Sequence, residues 1–475
     1  MKSFIEEVIT DLKLSRDNET LEKLLLDART APLIVSIAIC SVISWIITTV
    51  YSTTDTYFVS QLGVSESAAV CIVYSLMSII LVIGGTLGMG AACNISRAIG
   101  AKEYRSANFF ATTSICLSFF ITTIFAVVVY FNVDAFLIFI GSTPTILPKA
   151  TDYAKYILLG APFMAASYTL DSILRAEGHS TFALVGMLFG GVLNLVLDPI
   201  FVLVLGWGTK GAAIGTAIGQ ISGSLFLFWF VYAKKSIIRF SFKYLNIFSR
   251  GVLWIFALGL PTTICHGFIV ASSIVANTMA KVYGDNVVAA MGIVGQFLII
   301  HGSIMIGLGN GMAPVVGFNY GCKRFRRVLE AYFTTMKLGF CITIVASCLV
   351  MIFAPRLIAF FNNDPHVVKV GAFILRCQVI FILFAPITTF TDMLIQYLGF
   401  AKTSLFLALL NKVIVFIPIV VILPKFYGLF GLEIAQPVTY ACTIVIYIPV
   451  VICYIRYLQT LEKNHANFEG VTKFL

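Results

Sequence analysis

Gly88-Met89-Gly90 leads into Gly100-Ala101-Lys102-Glu103-Tyr104-Arg105, and far downstream Gly309-Asn310-Gly311 leads into Gly321-Cys322-Lys323-Arg324-Phe325-Arg326. The second passage follows the first at a constant offset, since 309 − 88, 323 − 102 and 326 − 105 all give 221. The same spacing pairs Phe139-Ile140-Gly141-Ser142-Thr143-Pro144 with Phe360-Phe361-Asn362-Asn363-Asp364-Pro365. It also pairs Asp171 and Gly178 with Asp392 and Gly399. One offset shared by such distant points marks an internal duplication into two like halves. Halves that repeat in parallel are one of the standard plans of carriers that work by alternating access.

The residues around these passages set the solvent. Of 475 residues, 59% are apolar and 11% charged, and the mean hydropathy is +0.97. A water-soluble chain of this length needs far more charge to cover its surface. The apolar residues fall in blocks that reach the roughly 20 residues one helix needs to cross the hydrocarbon layer. In lipid each backbone amide must find its partner within its own segment, so the blocks are read as helices. Short alternating strands, the mark of a β-barrel, are absent from the sequence pattern.

Charge, Gly and Pro punctuate the first half into spans at 31–59, 68–93, 107–131, 150–174, 180–205 and 211–233. The second half gives 252–282, 287–317, 328–353, 368–397, 402–423 and 431–457. The expected fold is therefore an all-α polytopic membrane protein, with 12 transmembrane helices in two pseudo-symmetric six-helix bundles. Residues 1–30 form an N-terminal segment, 31–233 the first bundle and 234–250 a basic linker. Residues 251–457 form the second bundle and 458–475 a tail.

The net charge of +10 would suit a nucleic-acid partner only if it were gathered on one domain. Instead the basic residues sit between apolar blocks and alternate in density from one boundary to the next. Lys234, Lys235, Arg239, Lys243 and Arg250 crowd one side, whereas Lys149, Lys210, Lys281 and Lys425 are sparse on the other. By the positive-inside rule both termini are cytoplasmic. The lack of a signal or retention motif fits a plasma membrane, a bacterial inner membrane or an internal one, the first two being favoured. The first 28 residues mix charges and lack an apolar signal core, so they are read as a short amphipathic helix on the cytoplasmic face. The eleven cysteines are scattered without a CxxC pair, which supports neither a disulfide framework nor a zinc site.

Polar groups inside a span are costly, and they carry a functional reading by default. Asp55 closes span 1 among Ser52, Thr53, Thr54 and Thr56. Span 5 carries Asn194-Leu195-Val196-Leu197-Asp198-Pro199, where the amide and the carboxylate stand four residues apart on one helix face. Pro199 has no N–H to give, which frees a carbonyl in the preceding turn. Desolvation favours a neutral carboxylic acid there, and a bound cation or nearby donors favour the ionised form, so the group suits proton or sodium exchange. The bland reading of Asp198 is an interhelical hydrogen bond that only holds the bundle; the coupling role is favoured over it. For Asp55 the two readings balance.

Asp171 and Asp392, being repeat-related, are expected to share a structural role. Lys412 could counter an acid of the second bundle or snorkel to the interface, and snorkelling is favoured. His266 and His301 each stand alone in apolar sequence, which favours packing over metal ligation. Gly211, Gly215, Gly219 and Gly223 recur every four residues, a stripe for close helix contact. Phosphate-binding, zinc-protease and nucleophile-elbow motifs are absent, which argues against an ATP-driven pump and against an enzyme.

The Asp55 end of span 1, the Gly-rich end of span 2, the Asn194-x-x-x-Asp198-Pro199 motif and the duplication together resemble the MATE (multidrug and toxic compound extrusion) family. The likeness runs from about residue 31 to 457 and leans to its MepA-type branch. It implies a V-shaped pair of lobes that exports organic cations in exchange for protons or sodium, as a monomer and without a cofactor beyond the coupling ion. It places cation coupling on Asp55, Asn194, Asp198, Thr216 and Tyr153, with Tyr156 the competing alignment for the last. If the ion is sodium, Asp55 and Asp198 would hold it. It also suggests a second-lobe polar site of Asp392, Gln396 and His266. There the sequence departs from the NorM-type branch, because Pro261-Thr262-Thr263-Ile264-Cys265-His266 offers no glutamate. The expected cargo is a small, lipophilic, cationic molecule, with membrane lipids as the surroundings and no nucleic acid. The alternative is a flippase or metabolite exporter of the same superfamily, and more remotely a receptor or channel.

Overall fold

The computed structural model describes residues 18–472 except 61, 234, 235, 283, 284, 362 and 363. Within helices, the side chains of 18–20, 49–53, 55–57, 60, 64, 465–472 and much of 266–289 are not described. The apolar blocks are helical, as an apolar solvent requires of a backbone that must pair with itself. In chain order the α-helices are α1 (Asn18–Asp27), α2 (Thr30–Ser60), α3 (Val64–Gly100), α4 (Tyr104–Phe131), α5 (Val133–Phe139), α6 (Leu147–Glu177), α7 (Ser180–Pro199) and α8 (Gly208–Tyr232). The second half follows with α9 (Arg250–Lys281), α10 (Asp285–Gly321), α11 (Phe325–Phe361), α12 (Pro365–Ile382), α13 (Ala385–Leu398), α14 (Ala401–Leu409), α15 (Phe416–Glu433) and α16 (Ala435–Thr472). Among the described residues, eleven helical stretches are long and apolar enough to cross a membrane. The apolar part Arg250–Cys265 of α9 stands where the seventh span, 252–282, is expected, completing a twelve-helix, two-bundle plan.

The chain divides into two compact units, residues 1–28 with 39–263 and residues 29–38 with 264–475. In the first unit α6 is the central helix, packed on α3, α4 and α8. Its Tyr153, Ile157 and Ala161 meet Leu76 and Ile80 of α3, Val129 of α4 and Ala212 of α8 in one buried cluster. Helix α1 adds Leu21, Leu24 and Leu25, all buried, at the spacing of one helix face. Tyr104 Oη donates to Glu22 Oε1 at 3.0 Å beside it. The amphipathic reading of the N-terminal segment thus applies to Asn18–Asp27; residues 1–17 lie outside the described ones.

The second unit packs Ala354 and Ile358 of α11 against Val367, Leu375 and Val379 of α12, with Val294 of α10. Here one expectation is corrected. The span at 368–397 is two helices, α12 and α13, which break at Leu383-Phe384. Pro386 stands in the first turn of α13, where its missing N–H and fixed φ suit a helix start. The span at 402–423 also divides, because a π-helical turn, Leu410–Val415, separates α14 from α15.

The duplication is visible in backbone geometry. Gly178 ends α6 at φ 95 and Gly399 ends α13 at φ 94, a left-handed cap that a Cβ would strain. Gly178 N donates to Arg175 O at 2.9 Å and Gly399 N to Gln396 O at 3.0 Å. Lys102 and Lys323 both hold φ 60, and they are the non-glycine residues with positive φ among those described.

Candidate functional site

Helices α7 and α8 hold the polar cluster of the first unit. Asn194 and Asp198 occupy successive turns of α7, and Asn194 Nδ2 donates to Asp198 Oδ1 at 3.0 Å. The same amide nitrogen donates to Thr216 Oγ1 of α8 at 3.2 Å. All three residues are buried, Asp198 completely. Asn194 Oδ1 is buried without a hydrogen-bond partner among the described residues. Buried polar atoms are rarely left so, and an oxygen of this kind beside a carboxylate and a hydroxyl suits a proton on the acid or a small cation.

Glycine brings the two helices this close. A Cβ on Gly219 would stand 2.7 Å from Gly190 O and 3.0 Å from Asn194 Cβ. A Cβ on Gly215 would collide with Asp198 Oδ1. The stripe read from the sequence as packing therefore also shapes the floor of the polar cluster. Beyond Pro199 the helix widens into a π turn, Ile200–Val204, closed by Leu205 N donating to Ile200 O at 2.8 Å. Proline removes one rung of the ladder, and π turns are frequent at functional sites.

Tyr153 is fully buried and shares its apolar cluster with Val202, Ala212 and Ala213, on either side of the α7–α8 connection. Tyr156 is partly buried and packs against the same cluster. Asp55 belongs to α2, but its side chain lies outside the described residues, as does that of His266. Asn194, Asp198 and Thr216 are thus brought together, with Tyr153 in the core beside the same helix pair.

Other polar groups form separate arrangements. Arg175 binds Asp171 in a fork, Nε to Oδ2 and Nη2 to Oδ1, each at 2.8 Å, and its Nη1 donates to Ser41 Oγ. A cleft lined by Asp171, Gly186, Gly190, Gly219 and Gly223 opens beside this pair. At the end of α6, Glu177 is buried and accepts from Ser236 Oγ at 2.7 and 2.8 Å and from Ile237 N at 3.0 Å. In the second unit Tyr447 Oη donates to Asp392 Oδ1 at 2.9 Å and Oδ2 at 3.0 Å. Gln396 is buried one turn farther along α13. His301 Nε2 and Thr343 Oγ1 lie 3.0 Å apart, which satisfies that histidine by packing and one hydrogen bond. Tyr447 was missed in the sequence; the only signal for it is that a buried phenol needs a partner. No cluster of three or more His, Cys, Asp or Glu suited to a metal occurs among the described residues.

A profile of the family described as MatE matches residues 41–200 and again 261–422. The "Multidrug export protein MepA" of Staphylococcus saprophyticus is 26% identical over 392 residues, which cover 82% of this chain and 86% of that protein. Its counterpart in Staphylococcus aureus strain MRSA252 is 25% identical over the same shares of the two chains. A solved structure described as the outward-facing conformation of a multidrug resistance MATE family transporter of the MOP superfamily superposes with a TM-score of 0.85. It is 25% identical and covers 92% of this chain and 98% of its own. With two matched stretches that together exceed half its length, the chain belongs to the MatE family: it is a multi-pass membrane transporter and not an enzyme.

Proposed function

We propose that this transporter is a secondary active multidrug exporter, which moves small, lipophilic organic cations out of the cell in exchange for an inward proton or sodium ion. The observation that carries the reading is the buried Asn194–Asp198–Thr216 cluster, a carboxylate set among an amide and a hydroxyl inside the first unit. The relatives named multidrug export proteins support the cargo class. Binding of the ion neutralises Asp198 and changes how α7 packs on α8; cargo then leaves outward, and the emptied carrier resets by alternating access. Asp55 and Tyr153 complete the coupling group. The density of basic residues puts both termini in the cytoplasm. The carrier acts as a monomer, in a plasma or bacterial inner membrane, with no cofactor beyond the coupling ion.

The test is export of a fluorescent lipophilic cation from proteoliposomes under an imposed proton or sodium gradient, with Asp198→Asn beside the parent. Gradient-driven movement that the variant loses while still inserting and folding supports the proposal and identifies the ion. Undiminished export by Asp198→Asn would rule out its coupling role. A parent that moves no cation under either gradient turns the reading to a lipid-linked or anionic cargo.

A further inference from the structure

The linker between the halves, residues 234–250, carries five basic residues and no acidic one. Its backbone is held at three places. Glu177 accepts from Ser236 Oγ and Ile237 N at the end of α6. Asn108 Oδ1 of α4 accepts from Arg239 N at 2.8 Å. Ser249 Oγ accepts from Gly251 N at 3.2 Å where α9 begins. Between these points Ser241 Oγ accepts from Lys243 N and starts a 3-10 turn, Phe242–Tyr244, which packs on α4. Ser236 and Ile238 are buried in this seat.

What the seat leaves outside is apolar and basic together. Phe242 is 82% exposed, Phe248 fully so, and Ile247 is exposed beside it. Arg239, Lys243 and Arg250 are exposed among them. The repeat sharpens the point: 242 − 221 gives 21, and Leu21 is buried beside Gly178. One half gives this position a protein core, whereas the other turns a phenyl ring outward. A contiguous exposed apolar surface set among charges marks an interaction site. Its depth follows from α8, whose last turn carries Trp229 and Tyr232, both exposed. Aromatic rings of this kind sit at the headgroup level of a bilayer. The linker begins directly after Tyr232, and its bonds to α4 and α6 keep it along the rim of the bundle. A purely topological role asks only for the charges and leaves the exposed rings unexplained.

We propose that this rim is a binding surface for anionic phospholipid: Arg239, Lys243 and Arg250 meet the headgroup phosphates, while Phe242, Ile247 and Phe248 enter the boundary with the acyl chains. Interfacial segments of basic and aromatic side chains bind by both terms, charge for the anionic lipid and apolar area for insertion. A zwitterionic headgroup cancels its own charge, so the surface selects phosphatidylglycerol over phosphatidylcholine. The positive-inside reading puts this leaflet on the cytoplasmic side; the binding depends neither on that nor on the export reading. The lipid thereby fixes the linker, and with it the ends of α6 and α8, to the leaflet.

The test places Phe248→Trp in the full chain, reconstituted in vesicles of mixed phosphatidylglycerol and phosphatidylcholine. Phe248 is fully exposed, so the exchange disturbs no packing. One lipid or the other carries bromine at the headgroup end of its acyl chain, and the emission gained over the parent's four tryptophans is followed. That emission is expected to be quenched, and more strongly when phosphatidylglycerol bears the bromine. Adding Arg239→Gln and Lys243→Gln should reduce the preference, by about fivefold per charge removed. Raising the salt concentration should reduce it in the same direction. Emission untouched by either brominated lipid would overturn the proposal, and a dimer that Phe248→Ser turns into a monomer would then assign the patch to a second copy. Equal quenching by both lipids, indifferent to the charge variants and to salt, would overturn it as well, leaving apolar contact without headgroup recognition.

Discussion

Gly215 faces Asp198 so closely that no methyl group fits between α8 and the carboxylate. Gly215→Ala should push Asp198 out of line with Asn194, and overpacking of this kind costs about 1–3 kcal/mol. Gradient-driven export should fall sharply. Gly85→Ala is the control, since a Cβ there meets nothing within 4 Å. Export by the two variants in matched proteoliposomes checks the contrast.

Thr216 accepts from the same amide that holds Asp198. Thr216→Val keeps the shape and removes the acceptor, a loss of about 1 kcal/mol for one hydrogen bond. Thr216→Ser keeps the oxygen. The valine variant should need a steeper ion gradient for half-maximal export, and the serine variant should match the parent. Equal behaviour of the two would remove Thr216 from the coupling group.

Arg175 and Asp171 form a bidentate pair with side-chain exposures of 9% and 13%. Losing one partner of a buried pair costs roughly 3–5 kcal/mol. Arg175→Gln, which writes into α6 the residue that α13 already has, should lower thermal stability markedly. Asp171→Asn added to it should restore much of the loss, as melting curves of the single and double variants would show.

Glu177 fastens the basic linker to the end of α6 through Ser236 and Ile237. Glu177→Ala leaves Ile237 N without this acceptor, at a cost of about 1–3 kcal/mol for an unsatisfied buried donor. Trypsin should then cut at Arg239 and Lys243 faster than in the parent. An unchanged cleavage rate would mean that other contacts hold the segment.

The spans were legible because lipid enforces both apolarity and helicity on the same residues. Their ends were not: α11 runs Phe325–Phe361 where apolarity alone marked 328–353, since a helix continues wherever its amides pair. The break before α13 was also hidden, because α6 carries Pro162 inside and continues without a break. In the site, Asn194 and Asp198 could be joined by their spacing on one helix. Asp392 and Tyr447 could not, being 55 residues apart with apolar sequence around the tyrosine.

Lys102 and Lys323 hold a left-handed bend that glycine would adopt with less strain, by roughly 1 kcal/mol. Both copies kept the charged residue in the less comfortable backbone. The two bends stand 221 residues apart, so the constant offset that marks the repeat in sequence is also a constraint on backbone conformation. Whatever holds each corner has to hold it in both halves, and a substitution that relaxes one bend leaves its counterpart as a built-in comparison.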